Sequence, residues 1–117
     1  MIKEVDILVT ELSNMKASDI LLVSFDEGHH LTDQLIIASA SNAIHLKSLM
    51  DATVRLYKNQ KKEALEALDF FGVSGQPESM WVILDFNQII VHIMGEELRE
   101  QYDFDNLFAG NQNYRYH

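Results

Sequence analysis

The stretch that decides the fold is Met80–Met94, which reads MWVILDFNQIIVHIM. It contains two short apolar runs separated by Phe86-Asn87. Both runs are dominated by β-branched and aromatic residues, which favour strands, and Asn tolerates the positive φ that a tight turn requires. The pattern therefore predicts a β-hairpin with a two-residue loop, in which Trp81 faces His92.

The two faces of this hairpin differ in composition, because side chains alternate between the faces of a strand. One face is wholly apolar and comprises Val82, Leu84, Phe86, Ile89, Val91 and Ile93. The other face is largely apolar and comprises Trp81, Ile83, Asp85, Gln88, Ile90, His92 and Met94. A sheet that is apolar on both faces needs cover on both. We therefore expect these two strands to lie inside a covered sheet.

The composition limits the class of protein. The chain has 117 residues, 47% of them hydrophobic, and no cysteine, which is typical of one folded domain without a disulfide framework or a thiolate zinc site. No apolar run approaches the ~20 residues of a membrane span, and the first residues do not have the pattern of a signal peptide, so we expect a cytoplasmic protein. The formal charge is −9, from 18 acidic and 9 basic residues. This charge argues against sequence-specific nucleic-acid binding and suits a basic partner.

The remaining chain supplies the elements around the hairpin. In order, the patterns predict a helix over residues 3–16, strands at Asp19–Phe25 and Gln34–Ala40, and a helix from an N-cap at Ser41 or Asn42 to about Glu63. Leu68–Val73 is compatible with either a helix or a short strand. A last helix begins at Glu96-Glu97, after Gly95, and residues 109–117 are expected to form a flexible tail. The fold class is therefore α/β (α+β), with a mixed five-stranded sheet flanked by helices in a single domain over residues 1–108.

Few residues indicate chemistry. His29, His30 and Asp33 form the cluster that most resembles a metal site, although two solvated loop histidines are the more common interpretation of such a pair. A histidine within a strand, such as His92, is usually a hydrogen-bonded structural residue, and Asp85 is typical of a turn. The sequence contains no phosphate-binding glycine loop. These residues alone do not define a reaction, a metal or a cofactor.

The order of several short motifs resembles the ribosomal silencing factor family, also called Iojap-like. The resemblance covers roughly residues 3–108, and its most specific part is the series of Trp81, Asp85, Val91-His92, Glu96-Glu97 and Tyr102. The family is similar in fold to nucleotidyltransferases. The Gly-Ser and Asp-x-Asp motifs that hold the metal of those enzymes are not found in the first hairpin of this chain, so we expect no catalysis.

The resemblance implies a function and a site. Members of the family bind a large-subunit ribosomal protein of the L-fourteen family, block joining of the small subunit, and often look dimeric in isolation. Transferred residue by residue, the contact surface comprises Trp81, Asp85, His92, Met94, Glu97 and Tyr102. The chain departs from the usual family residues at His29, His30, Ile44, Ser74 and Phe108.

Two other functions remain open at the level of sequence. One is a divergent metal-dependent nucleotidyl or phosphoryl transferase that uses His29, His30 and Asp33. The other is a dimeric interaction module that has kept the fold and lost ribosome binding.

Overall fold

The computed structural model describes residues 2–25 and 34–116. The helices are α1 (Ile2–Asn14), α2 (Ala43–Gln60), α3 (Glu96–Tyr102) and α4 (Phe104–Leu107), and Pro77–Ser79 form one 3-10 turn. The strands are β1 (Ser18–Ser24), β2 (Gln34–Ala40), β3 (Gly72–Gln76), β4 (Trp81–Asp85), β5 (Ile89–Gly95) and β6 (Gln112–Tyr116). Within the described ranges these strands form one mixed sheet in the order β3-β4-β5-β2-β1-β6. The predicted fold class is confirmed, with six strands in place of five.

The central hairpin β4–β5 forms as predicted, but its register differs by two residues. Trp81 pairs with Met94, and His92 pairs with Ile83. The Phe86 N–H donates to the carbonyl of Ile89 at 2.9 Å, so the two-residue loop is Asn87-Gln88 and not Phe86-Asn87. Asn87 adopts the expected positive φ, 70°. A shift of two residues leaves every side chain on its face, so the predicted division into two faces holds.

The loop begins one residue later than predicted because Phe86 is part of the core. Its side chain is fully buried, and its ring centroid lies 5.4 Å from that of Tyr57 and 5.1 Å from that of Phe70. An aromatic ring that buries this much apolar surface outweighs the preference for a particular turn type. The loop therefore closes after Phe86 instead of around it.

The centre of the sheet is the parallel pair β2–β5, in which Ile37 lies opposite His92. Parallel neighbours need a crossover connection, and α2, β3 and β4 lie between these two strands in the chain. The strands β1 and β2 are antiparallel, as predicted for the first hairpin.

The main core lies on the face of the sheet that α1 and α2 cover. It contains buried side chains from both helices and from the apolar face of the hairpin: Val5, Leu8, Val9, Leu12, Leu46, Leu49, Val82, Leu84, Phe86, Ile89, Val91 and Ile93. The apolar residues of both helices recur at three- and four-residue spacing, which places them on one side of each helix. Both predicted helices are therefore confirmed as covering layers, with α2 ending at Gln60 and not at about Glu63.

The opposite face is only partly covered, contrary to the expectation of full cover. Leu21, Val23, Leu35, Ile37 and Met94 form a second, smaller core there, against which Leu98 of α3 and Phe104 of α4 pack. Both helices are short, seven and four residues. Because they are short, Trp81, Ile83, Asp85, Ile90 and His92 remain only partly buried.

The start of α2 is fixed by two side chains. Asn42 is the N-cap, and its Oδ1 accepts from the His45 N–H at 2.8 Å. The Ser41 N–H donates to His45 Nδ1 at 3.0 Å, so the other ring nitrogen, Nε2, carries the proton and donates to the Met15 carbonyl at 2.9 Å. The Ser41 hydroxyl lies 3.1 Å from the same Nδ1. His45 therefore connects the end of α1 to the start of α2.

The ambiguous segment after α2 forms neither a continued helix nor a strand at Leu68–Val73. Residues 61–67 are turns, and the strand β3 begins only at Gly72. Leu65 and Leu68 are buried, and the Tyr57 hydroxyl donates to the Leu68 carbonyl at 3.2 Å. The burial of these two leucines outweighs the helix propensity of the segment, so α2 does not continue through it.

Residues 112–116 form a strand, where the sequence predicted a flexible tail over residues 109–117. Gln112–Tyr116 form β6, which pairs antiparallel with β1 from Ile20↔Tyr116 to Ser24↔Gln112. The strand begins with polar residues, so the sequence pattern does not predict it. It forms because the backbone groups of β6 hydrogen-bond to the free edge of β1. The Tyr114 and Tyr116 rings contact each other with centroids 4.7 Å apart.

Candidate functional site

The candidate site is the partly covered face of β4 and β5, next to α3. Trp81 begins β4 because Met80 closes the preceding 3-10 turn in the left-handed conformation, with φ 61°, and donates its N–H to the Pro77 carbonyl. The Gly95 N–H donates to the Met80 carbonyl at 2.8 Å. A Cβ at Gly95 would lie 2.5 Å from Met80 Cε, so a larger residue here would displace the Met80 side chain. The ends of β4 and β5 are thereby fixed together beneath Trp81.

Trp81 and His92 are joined by a hydrogen bond. The indole Nε1–H donates to His92 Nδ1 at 2.9 Å. The two residues are diagonal neighbours in the observed register, a separation that large side chains span. Because Nδ1 accepts, the proton of the neutral imidazole sits on Nε2. Burial lowers the pKa of His92 from 6.5 to about 4, so the ring is neutral at pH 7.

Aromatic rings surround this pair. The Trp81 ring centroid lies 4.9 Å from that of Tyr102 and 5.9 Å from that of Phe104. Phe104 also lies 5.5 Å from the His92 ring, and it stacks on Phe108 at 6.0 Å. Tyr102 is 54% exposed, whereas Trp81 and His92 are half-buried. The result is a fixed aromatic surface with Tyr102 as its most accessible ring.

The six predicted site residues do not all lie at this surface. Trp81, His92 and Tyr102 are in mutual proximity, as predicted. Met94 lies beside them in the sheet but is fully buried in the second core, so it supports the surface from below. Asp85 lies at the far end of β4, about 13 Å along the strand from Trp81. Its Oδ1 accepts from the Asn87 N–H at 2.8 Å, the turn role that the sequence also suggested.

Glu97 lies in the first turn of α3 and is exposed. It borders a cavity of about 390 Å³ together with Met80, Gly95 and Leu98. The nearby acidic side chains of α3 and its C-cap are also exposed, namely Glu96, Glu100 and Asp103. These three side chains line a separate cavity with Asp19, Ser39 and Arg99, so α3 carries a group of carboxylates on the side away from Tyr102.

Sequence reasoning missed Arg99, which positions α3. Its guanidinium is buried and donates to the Ser39 hydroxyl at 2.9 Å and to the Asp19 backbone carbonyl. Its Nη2 lies 3.7 Å from the Asp19 carboxylate, which also pairs with Arg115. A single guanidinium therefore ties α3 to β1 and β2, and this holds Tyr102 over Trp81. Arg99 lies among glutamates in a polar stretch, so the local sequence does not predict that its side chain is buried.

The described residues give no support to metal chemistry. Among residues 2–25 and 34–116, no group of three His, Asp or Glu side chains lies close enough to hold an ion. The predicted cluster of His29, His30 and Asp33 lies outside the described residues. In the same ranges, no helix combines the length and the apolar composition needed to cross a bilayer.

Comparison with solved structures identifies the same fold in two bacterial proteins. A crystal structure from Chromobacterium violaceum superposes with a TM-score of 0.79 at 23% identity, covering 96% of this chain and 89% of that one. A crystal structure from Bacillus halodurans gives a TM-score of 0.74 at 15% identity, covering 92% of this chain and 94% of that one. At these identities the likeness concerns the fold alone.

Sequence comparison identifies relatives in bacteria and in mitochondria. A Haemophilus influenzae protein named ribosomal silencing factor RsfS is 30% identical over 90% of this chain and 97% of its own length. A Mus musculus protein, named mitochondrial assembly of ribosomal large subunit protein 1, is 27% identical over 91% of this chain. The match spans only 45% of the mouse protein's length.

The family model described as "Ribosomal silencing factor during starvation" matches residues 1–116. The match includes the strand β6 as well as the aromatic surface, and so extends over nearly the whole chain. This chain therefore belongs to the ribosomal silencing factor family.

Proposed function

We propose that this chain represses translation by occlusion. It binds the large ribosomal subunit through a ribosomal protein of the L-fourteen family and thereby prevents the small subunit from joining. The contact surface is the aromatic surface of Trp81, His92 and Tyr102. Glu97 lies at its edge, Met94 supports it from within the sheet, and Asp85 extends the contact surface at the far end of β4.

The observation that carries this proposal is the exposed aromatic surface on an incompletely covered sheet. Partly exposed Trp and Tyr side chains that are held rigidly lose little conformational entropy on binding, and such residues dominate the energetics of many interfaces. The hydrogen bond from Trp81 to His92 and the contact of Trp81 with Tyr102 fix two rings before any partner arrives. In a chain that folds and acts alone, these rings would more commonly be buried.

The charge around the surface supports a basic partner. The carboxylates of Glu96, Glu97, Glu100 and Asp103 are exposed on α3 and at its end, in a chain of net charge −9. Ribosomal proteins are rich in lysine and arginine, so the long-range field would accelerate the encounter. Occlusion itself needs no catalytic group. It needs only a bound state that lasts longer than the time in which the subunits would join.

Co-sedimentation with purified large subunits tests the proposal. Wild-type protein is expected to travel with the subunits, and Tyr102→Glu is expected to remain at the top of the gradient with a nearly unchanged melting temperature. Tyr114→Glu is the matched control, because Tyr114 is 60% exposed on β6. That strand lies four strand spacings from β4, roughly 19 Å away.

Three results would contradict the proposal. The first is a wild-type protein that does not sediment with the subunits. The second is Tyr102→Glu binding as well as the wild type. The third is equal loss of binding in both variants, which would indicate a general effect of added charge.

A further inference from the structure

A second surface lies on the other face of the sheet, between α2 and β3. Here a groove of about 460 Å³ is lined by Met50, Asp51, Val54, Arg55 and Lys58 of α2, by Val73 and Gly75 of β3, and by Pro77. Val73 pairs with Leu84 and so points to the α2 side, whereas Trp81 points to the α3 side. The α2–β3 groove is therefore separate from the aromatic surface.

The floor of the groove is apolar. Met50 and Val54 are only partly buried by the core, and Val73 is 40% exposed. Phe71, just before the strand, is exposed as well. Large apolar side chains grouped beside one strand are the usual composition of a surface that another chain covers.

The strand β3 is an edge of the sheet. It pairs with β4 on one side, and no other described strand pairs with it on the other. The backbone groups on the open side of an edge strand can accept an added strand from another chain. A groove with an apolar floor along such an edge fits an extended segment, whose alternate side chains enter the groove.

The rim of the groove is cationic. Arg55 and Lys58 are exposed and form no ion pair with any residue in the described part of the chain. Asp51, the acidic residue of the lining, is paired at 2.6 Å with Lys47, which lies two turns before Arg55. Residues three apart on a helix are neighbours, so the two cations lie side by side. In a chain with twice as many acidic as basic residues, this rim is a local exception.

We propose that the α2–β3 groove binds an extended acidic segment of a partner protein as an added strand on β3. The backbone of the segment pairs with β3, and alternate side chains of the segment face the groove. Of these groove-facing side chains, apolar ones enter between Met50, Val54 and Val73, and acidic ones lie against Arg55 and Lys58. A nucleic-acid strand would bring phosphates to the same cations. However, the apolar floor offers those phosphates no partner, and the open edge of β3 forms its hydrogen bonds with a peptide backbone.

This surface goes beyond the proposed ribosome contact, because the two lie on opposite faces of the sheet. An occupant of the α2–β3 groove does not cover Trp81 or Tyr102. The chain could therefore hold a large subunit and an acidic partner at the same time.

Fluorescence anisotropy with a defined probe tests the inference. The probe is a labelled heptapeptide, Thr-Val-Thr-Glu-Thr-Glu-Thr, whose Val and Glu side chains share one face of a strand, and it is called the Glu-Val peptide. The matched Lys-Val peptide has Lys in place of every Glu. We expect the Glu-Val peptide to bind at least tenfold more tightly than the Lys-Val peptide. Amide chemical-shift changes in the NMR spectrum are expected to concentrate in Gly72–Gln76 and in α2.

A matched pair of variants separates the groove from net charge. The double variant Arg55→Glu/Lys58→Glu is expected to weaken binding of the Glu-Val peptide at least tenfold, with its melting temperature nearly unchanged. Lys61→Glu/Lys62→Glu carries the same net charge but alters residues outside the groove lining, and it is expected to bind like the wild type.

The inference is overturned by any of four results. These are no preference for the acidic peptide, equal weakening in both double variants, shift changes that map away from β3, or tighter binding of a single-stranded RNA of ten nucleotides than of the peptide. Because neither assay contains ribosomes, failure here leaves the ribosome contact standing, and failure of the ribosome contact leaves this result standing.

Discussion

Acidification is expected to destabilise the fold through His92, by an amount that its burial sets. The pKa of His92 is lowered by burial to about 4 in the folded chain, against 6.5 when unfolded. Above pH 6.5 both states hold a neutral ring and the full stability is present. As the pH falls below 6.5 the unfolded state binds the proton first, so stability is lost down to about pH 4 and changes little through this residue at lower pH.

The size of the effect follows from the shift. One pKa unit corresponds to 1.36 kcal/mol, so the contribution lost is about 2 kcal/mol at pH 5 and about 3 kcal/mol at pH 4. Carboxylates also titrate in this range, and the effect of His92 must be separated from theirs. The difference between the wild type and His92→Gln isolates it, because Gln does not titrate and retains an amide oxygen that can accept from the Trp81 indole.

Urea unfolding between pH 7.5 and 4 is the assay. The wild type is expected to lose about 3 kcal/mol more than His92→Gln over this interval. Nitrogen-detected NMR of the histidine ring is expected to show Nδ1 unprotonated and Nε2 protonated at pH 7. Parallel loss of stability in the two proteins, or a His92 that titrates near 6.5 in the folded state, would refute the reasoning from burial.

Three further substitutions test the supports of the site. Gly95→Ala places a Cβ against the Met80 side chain and should lower the free energy of unfolding in urea by about 1–2 kcal/mol, and an unchanged value would mean that Met80 moves freely aside. Asn42→Ala removes the N-cap of α2 and should cost about 1 kcal/mol in the same assay, whereas Asn59→Ala, near the other end of α2, should cost much less. Arg99→Met removes the bonds from α3 to Ser39 and Asp19, and it should lower the free energy of unfolding by roughly 3 kcal/mol. It should also reduce the change in Trp81 fluorescence on large-subunit binding. Unaltered stability would contradict a positioning role for Arg99.

The sequence predicts the central part of the fold well because its period is strong. Alternation along the hairpin defines both faces correctly, and that assignment survives a register error of two residues because the period of a strand is also two. The hydrophobic period is equally strong in α1 and α2, where buried leucines recur at helical spacing. The error in the loop arises because Phe86 has two competing roles, turn residue and core residue, and local propensity cannot decide between them.

The sequence predicts poorly wherever tertiary contacts decide. The strand β6 has a polar start and forms because β1 has a free edge, which no local pattern in residues 109–117 reveals. Arg99 looks like any solvated helix residue until α3 is placed against Ser39 and Asp19. The resemblance places Met94 on the contact surface. In the structure Met94 is buried beneath the short helices α3 and α4, which leave Trp81 partly exposed.

The measurement that tests the central claim most directly is subunit joining followed by light scattering. Purified large subunits are incubated with the protein, small subunits are added, and the increase in scattering is recorded. The account predicts that saturating wild-type protein suppresses the increase, that Tyr114→Glu suppresses it equally, and that Tyr102→Glu leaves it intact. A full increase in scattering while wild-type protein remains bound to the large subunits would contradict repression by occlusion.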